Sequence, residues 1–144
     1  MSAIYQHLIG SLYQHMVDFA ASESIPVTKI AFENNQFDPP DGGIWFRVIT
    51  FFGQTIQATV GDGGYNRIEG SFLISVFYDK GKPAGPLNEM VDKVMAYFKR
   101  GTDTPLVSSQ KVRVLSASRE NLQYEEKWVQ VPVRIRFYTE ALNS

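Results

Sequence analysis

Apolar residues near the start of the chain recur in pairs four positions apart: Ile4-Tyr5, Leu8-Ile9, Leu12-Tyr13 and Met16-Val17, followed by Ala20. This spacing lays a wide apolar stripe along one face of a helix. Gln6, Gln14 and Asp18 fall between the pairs and take the opposite face. Ser2 supplies an N-cap, and Pro26 forbids continuation.

The period then shortens. Residues 27–33 read as a short strand, followed by the loop Phe37-Asp38-Pro39-Pro40-Asp41-Gly42-Gly43, dense in turn residues. Ile44 to Phe52 is apolar at both parities, as expected of a strand covered on both faces. Gly53 predicts a turn, Gln54–Val60 a half-buried strand, and Gly61-Asp62-Gly63-Gly64 a hairpin turn. Arg67–Tyr78 places Ile68, Gly70, Phe72, Ile74, Val76 and Tyr78 on one face, completing a three-strand meander.

A second helix follows the Lys/Gly/Pro loop 79–85. Pro86 stands at its first position, Leu87, Met90, Val91, Val94, Met95 and Phe98 keep helical spacing, and Lys99-Arg100 with Gly101 close it. Glu89 and Lys93 form a correctly oriented i,i+4 pair. Leu106–Ser108 predicts a short strand, Val112, Val114 and Ala117 begin another, and Ser118–Glu126 is polar enough for a loop. Lys127–Tyr138 places Val129, Val131, Val133, Ile135 and Phe137 on one face and Trp128, Gln130, Arg134, Arg136 and Tyr138 on the other. Pro132 cannot donate a ladder bond, so this strand is expected at an edge or at a bulge. The order predicts an α+β fold: a mainly antiparallel sheet with two helices packed on it, formed by residues 1–144 as a single domain.

Composition narrows the function. No Cys is present, which excludes disulfides, thiolate metal sites and cysteine nucleophiles. The net charge of −1 lacks the basic excess of non-specific nucleic-acid binders. No apolar run spans a membrane, and the N-terminus has no basic-then-apolar signal pattern, so neither membrane nor leader is expected. The charge is polarised: residues 1–44 sum to −4, 45–110 to +1 and 111–144 to +2. Complementary ends of this kind can register neighbouring copies.

Catalytic equipment is scarce. His7 and His15 are the only histidines; on a helix they stand about 80° apart in rotation and about 12 Å apart along the axis. They read as surface or interface residues rather than a metal pair. The Gly61–Gly64 stretch lacks the ending of a phosphate loop. Asp38 and Asp41 have neither EF-hand spacing nor a nearby His or Lys, so they suit loop stiffening or a partner contact. No cofactor or metal is expected. The 19 aromatic rings fit a core plus an interface better than a base-stacking platform. A small ligand- or RNA-binding module using Trp128, Arg134, Arg136 and Tyr138 is the alternative from a different class.

The whole pattern resembles the small tail-terminator proteins of long-tailed bacteriophages, once known only as a phage-related domain of unknown function. The residues that carry the resemblance are Ile4-Tyr5 and Leu8, Phe37-Asp38-Pro39-Pro40, Trp45-Phe46-Arg47-Val48, and the Gly61–Gly64 turn with Arg67 and Gly70. It continues through Ser75-Val76-Phe77-Tyr78, Gly81, Lys82 and Gly85, Phe98–Thr102, and Trp128 with Val131-Pro132-Val133. The order covers nearly the whole chain; residues 110–120 depart from it, where a glycine-bearing hairpin is expected.

The resemblance implies a mixed sheet with both helices on one side, and a non-enzymatic virion protein. It implies a ring, expected to be a hexamer, that caps the head-proximal end of the tail tube. Such a ring stops tube polymerisation and offers a surface to the head–tail connector or neck protein. The implied partners are further copies of itself, the tail tube protein and that connector, with genome DNA only passing through the lumen. The protein would assemble in the bacterial host cytoplasm. A neck or head-completion protein is the alternative within the same virion. Candidate interface residues are Phe37, Asp38, Pro39, Pro40, Trp45, Phe51, Asp62, Tyr65 and Arg67.

Overall fold

The first helix buries a different stripe from the one its pairs of apolar residues suggest. In the computed structural model, which describes residues 4–57, 65–108 and 110–142, helix α1 (Ile4–Ser22) buries Leu8, Ser11, Leu12, His15, Met16, Phe19 and Ala20. The buried pairs are thus 11–12, 15–16 and 19–20, so the helix is turned by about one residue, or 100°. Ser11 and His15 tolerate burial because both are hydrogen-bonded. Ser11 Oγ donates to the Pro105 carbonyl and meets Thr104 Oγ1. His15 Nε2 lies 3.0 Å from the Tyr97 carbonyl oxygen, so the ring is a buried strut rather than a surface group. Ser2, the expected N-cap, lies outside the described residues.

The helix does not run to Pro26. It closes at Ser24, which takes a positive φ of 57°. Ser24 N–H donates to the Ala21 carbonyl at 3.1 Å and Ile25 N–H to the Ala20 carbonyl at 2.8 Å. These bonds form a Schellman cap without its usual glycine.

Residues 27–33 contribute less strand than expected: a 3₁₀ turn at Val27–Lys29, then β1 (Ile30–Ala31). β1 pairs in parallel with β2 (Trp45–Gln57). A parallel neighbour needs a crossover rather than a hairpin, and the diproline loop provides it. Gly53 is not a turn. β2 runs through it, and the register slips between Phe52 and Thr55, so the glycine belongs to a bulge. The expected meander is therefore one long hairpin of β2 and β3 (Tyr65–Asp79). Val60 and the turn expected at Gly61–Gly64 lie outside the described residues.

Helix α2 (Gly85–Tyr97) begins at Gly85, which puts Pro86 second rather than first, and it ends before Lys99-Arg100, so neither base is in its last turn. Leu106–Ser108 forms no strand; Val107 makes only an isolated bridge to Gln110. Beyond it, β4 (Arg113–Arg119) forms where Val112, Val114 and Ala117 predict a strand and runs two residues into the expected loop, which also holds the short β5 (Gln123–Tyr124); both pair with β6 (Trp128–Leu142).

The sheet order is β1-β2-β3-β6-β4, with β5 also on β6; every pairing except β1·β2 is antiparallel. β6 is thus interior, not an edge. Pro132 is tolerated because its carbonyl faces the β4 side, accepting from Glu120 N–H at 2.8 Å, where the ladder passes from β4 to β5. The missing donor faces that interruption.

Both helices cover one face. Phe46, Val48, Phe72, Ile74, Val76, Val131, Val133, Ile135 and Phe137 meet Leu8, Leu12, Met16, Phe19, Leu87, Val91 and Val94 in one core. Lys93 bridges the helices, lying 3.1 Å from Glu23 and 3.6 Å from Glu89. Among the described residues, no helix lies over the other face.

Candidate interface surfaces on the open sheet face

At one end of the open face, antiparallel register brings three large rings together. Trp45 stands directly opposite Phe77, and their rings stack at 3.9 Å with an interplanar angle of 8°. Trp128 meets Trp45 edge-on at 5.7 Å, and Phe37 stacks on Trp45 at 5.2 Å from the crossover loop. Trp45 is 6% exposed and Trp128 8%. The Arg47 guanidinium lies 5.1 Å from the Phe77 ring centre.

This cluster anchors the diproline loop at its first root. The second root is Gly43, whose N–H donates to Asp79 Oδ2 at 3.0 Å. Lys82 pairs with the same carboxylate at 3.2 Å. The Gly43 N–H, with Lys82 adding to it, holds the Asp79 carboxyl below the usual carboxylate range. Between the roots, Asp38, Pro39 and Asp41 are exposed and Pro40 is half-buried. A further cleft of about 380 Å³ runs along the base of the loop, between Val27 and Asp38.

The other end of the face is about 20 Å away, the length of six strand residues from Trp45 to Phe51. There Phe51, Ser71 and Arg136 form one cross-strand row. With Phe52, Gly53, Glu69 and Gly70 they line an open groove of about 400 Å³. Phe51 is 48% exposed on this face, while the Phe52 ring alternates to the helix side, edge-on to Tyr5 at 4.9 Å. Arg67 sits beside the groove, over the Tyr138 ring at 4.0 Å and 3.0 Å from Glu69. Its Nε–H is not aimed at that carboxylate, so the contact is an ion pair without a hydrogen bond.

The structure therefore splits the sequence candidates into two groups. Phe37, Asp38, Pro39, Pro40 and Trp45 belong to the loop end; Phe51 and Arg67 belong to the groove end, where Tyr65 opens β3. Asp62 lies outside the described residues. Trp45 is a buried anchor within the chain rather than an exposed contact. The sequence points to Arg136 only as part of a base-binding face; the row it forms with Phe51 follows from strand register alone. That base-binding face is not assembled: Trp128 is buried, Arg134 is held by Glu120 at 2.8 Å, and Tyr138 lies beneath Arg67. Among the described residues no three His, Cys, Asp or Glu side chains converge on a metal position. No helix among them is long and apolar enough to cross a membrane.

Residues 11–137 match a family model described as phage tail terminator protein. No curated protein matches the sequence. Among solved structures, one chain aligns with a TM-score of 0.74 at 16% identity, over 99% of this chain and 99% of its own. A chain of a structure titled as the virion of a native gene transfer agent particle aligns at TM-score 0.57 and 18% identity. That alignment covers 98% of this chain and 100% of its own. Both similarities are of fold.

Proposed function

This chain belongs to the phage tail terminator protein family, and from that membership we propose that it closes into a ring, a hexamer, capping the head-proximal end of a tail tube. A structural role in the phage tail follows from the family itself. The finer reading is that the ring stops tube subunits from adding and then receives the head–tail connector. DNA passes through its lumen, and assembly takes place in the host cytoplasm. The whole chain acts as one domain.

The observation that supports a ring is the division of the open face into two unlike ends. A closed ring needs two different, complementary patches on each subunit. The loop end offers prolines and carboxylates; the groove end offers an exposed phenylalanine and a guanidinium. The fold also recurs in a chain of a gene transfer agent virion.

Light scattering on the purified chain, alone and with tail tubes, together with negative-stain imaging, tests the reading. A six-fold ring, free or at one end of the tubes, is expected. A chain that stays monomeric in both settings overturns it. Staining of head-less tails separates the neck alternative, since a terminator remains on them.

A further inference from the structure

Resting on the ring reading, we propose that each ring contact is made by the diproline loop of one copy seated in the Phe51–Arg136 groove of the next. Three features of the surfaces support this occupant. First, the loop is presented rather than folded away. Its roots are fixed by the Phe37–Trp45 stack and the Gly43–Asp79 bond, while Asp38, Pro39 and Asp41 are exposed between them. A segment held in shape before binding loses little entropy on docking.

Second, the chemistry matches at two points. Consecutive prolines fix φ and present a ridge without donors, which packs on aromatic rings. Phe51 supplies an exposed ring at the groove. Asp38 and Asp41 have no ion-pair partner among the described residues, and neither does the exposed Arg136. Third, a loop pinned at both roots cannot reach its own groove about 20 Å away along the sheet. Its partner must be another molecule, and a second copy carries the complementary groove.

The absence of native cysteine makes the contact directly readable. The variant carrying both Pro39→Cys and Ser71→Cys keeps Asp38, Asp41 and Arg136. On oxidation it should give a ladder of cross-linked multimers ending at the ring size, while each single-cysteine variant gives none. A ring that assembles normally but yields no ladder overturns the inference and leaves the ring reading standing. A chain that never assembles overturns both.

A charge exchange provides the second test, without touching the prolines. D38R/D41R and R136E should each weaken assembly by more than about tenfold, because like charges then meet at every contact. An equimolar mixture of the two should assemble again, since every contact between unlike copies pairs opposite charges. Unchanged assembly of either variant, or a mixture as dissociated as its parts, contradicts the proposal. Matching thermal melts of the isolated variants exclude misfolding as the cause.

Discussion

Trp45 and Phe77 stack almost parallel, 3.9 Å apart, because β2–β3 register sets them directly opposite on the face without helices. The stack turns a tryptophan that reads as interface into an anchor for the neighbouring loop. Its indole N–H is buried without a partner, so the ring contributes by packing alone. Trp45→Ala should cost ~3–5 kcal/mol in urea unfolding, as for other large aromatic truncations. Trp45→Phe should cost less than about 1.5 kcal/mol, since no hydrogen bond is lost. Equal losses for the two variants would show that the ring itself is not what matters.

Gly70 is required by what faces it. A Cβ there would stand 2.8 Å from Phe137 Cζ and against the Phe51 carbonyl oxygen. Gly70→Ala should therefore destabilise by ~1–3 kcal/mol through overpacking, read as a lowered thermal midpoint. Adding Phe137→Leu should recover only part of the loss, because the backbone oxygen remains.

Ser24 caps α1 in a left-handed conformation that glycine adopts freely. Ser24→Gly should raise stability by ~0.5–1 kcal/mol, with relief of strain exceeding the added chain entropy. An unchanged or lowered denaturation midpoint contradicts this account of the cap.

His15 links pH to stability. Burial lowers its pKa below the usual 6.5, outweighing the Tyr97 carbonyl and the Asp18 charge, which both favour the cation. Below that usual value the unfolded chain binds a proton that the folded chain resists. The stability from a neutral His15 is therefore full above about pH 6.5 and lost as pH falls through the lowered folded value. Urea midpoints should fall over this interval in the wild type and change less in His15→Gln. Parallel curves for the two would place the pH response elsewhere.

Much of the architecture was legible where one pattern had one reading. α2 announces itself by Pro86, and β3 and β6 by strict alternation. Elsewhere a local pattern allows two structures, and tertiary partners choose between them. His15 reads as a surface or interface residue from the sequence, and only the Tyr97 carbonyl, distant in sequence, supplies the hydrogen bond that lets it be buried. Gly53 has the same composition as a turn or a bulge, and only pairing with β3 decides. Pro132 suggested an edge because nothing local reveals that β4 and β5 exchange places beside it. The groove was invisible for a related reason: Phe51, Ser71 and Arg136 are far apart in sequence and adjacent only through register. The diproline loop, by contrast, is contiguous and could be singled out directly.

The proposed role of this chain is to end tube growth. Its most direct test is the length distribution of tail tubes polymerised from the cognate tube protein with increasing amounts of the chain, measured by electron microscopy. Substoichiometric chain should halt elongation, leaving tubes that carry a ring at one end and no longer extend when fresh subunits are added. Tubes that keep growing, with no density of this chain at either end, would contradict it.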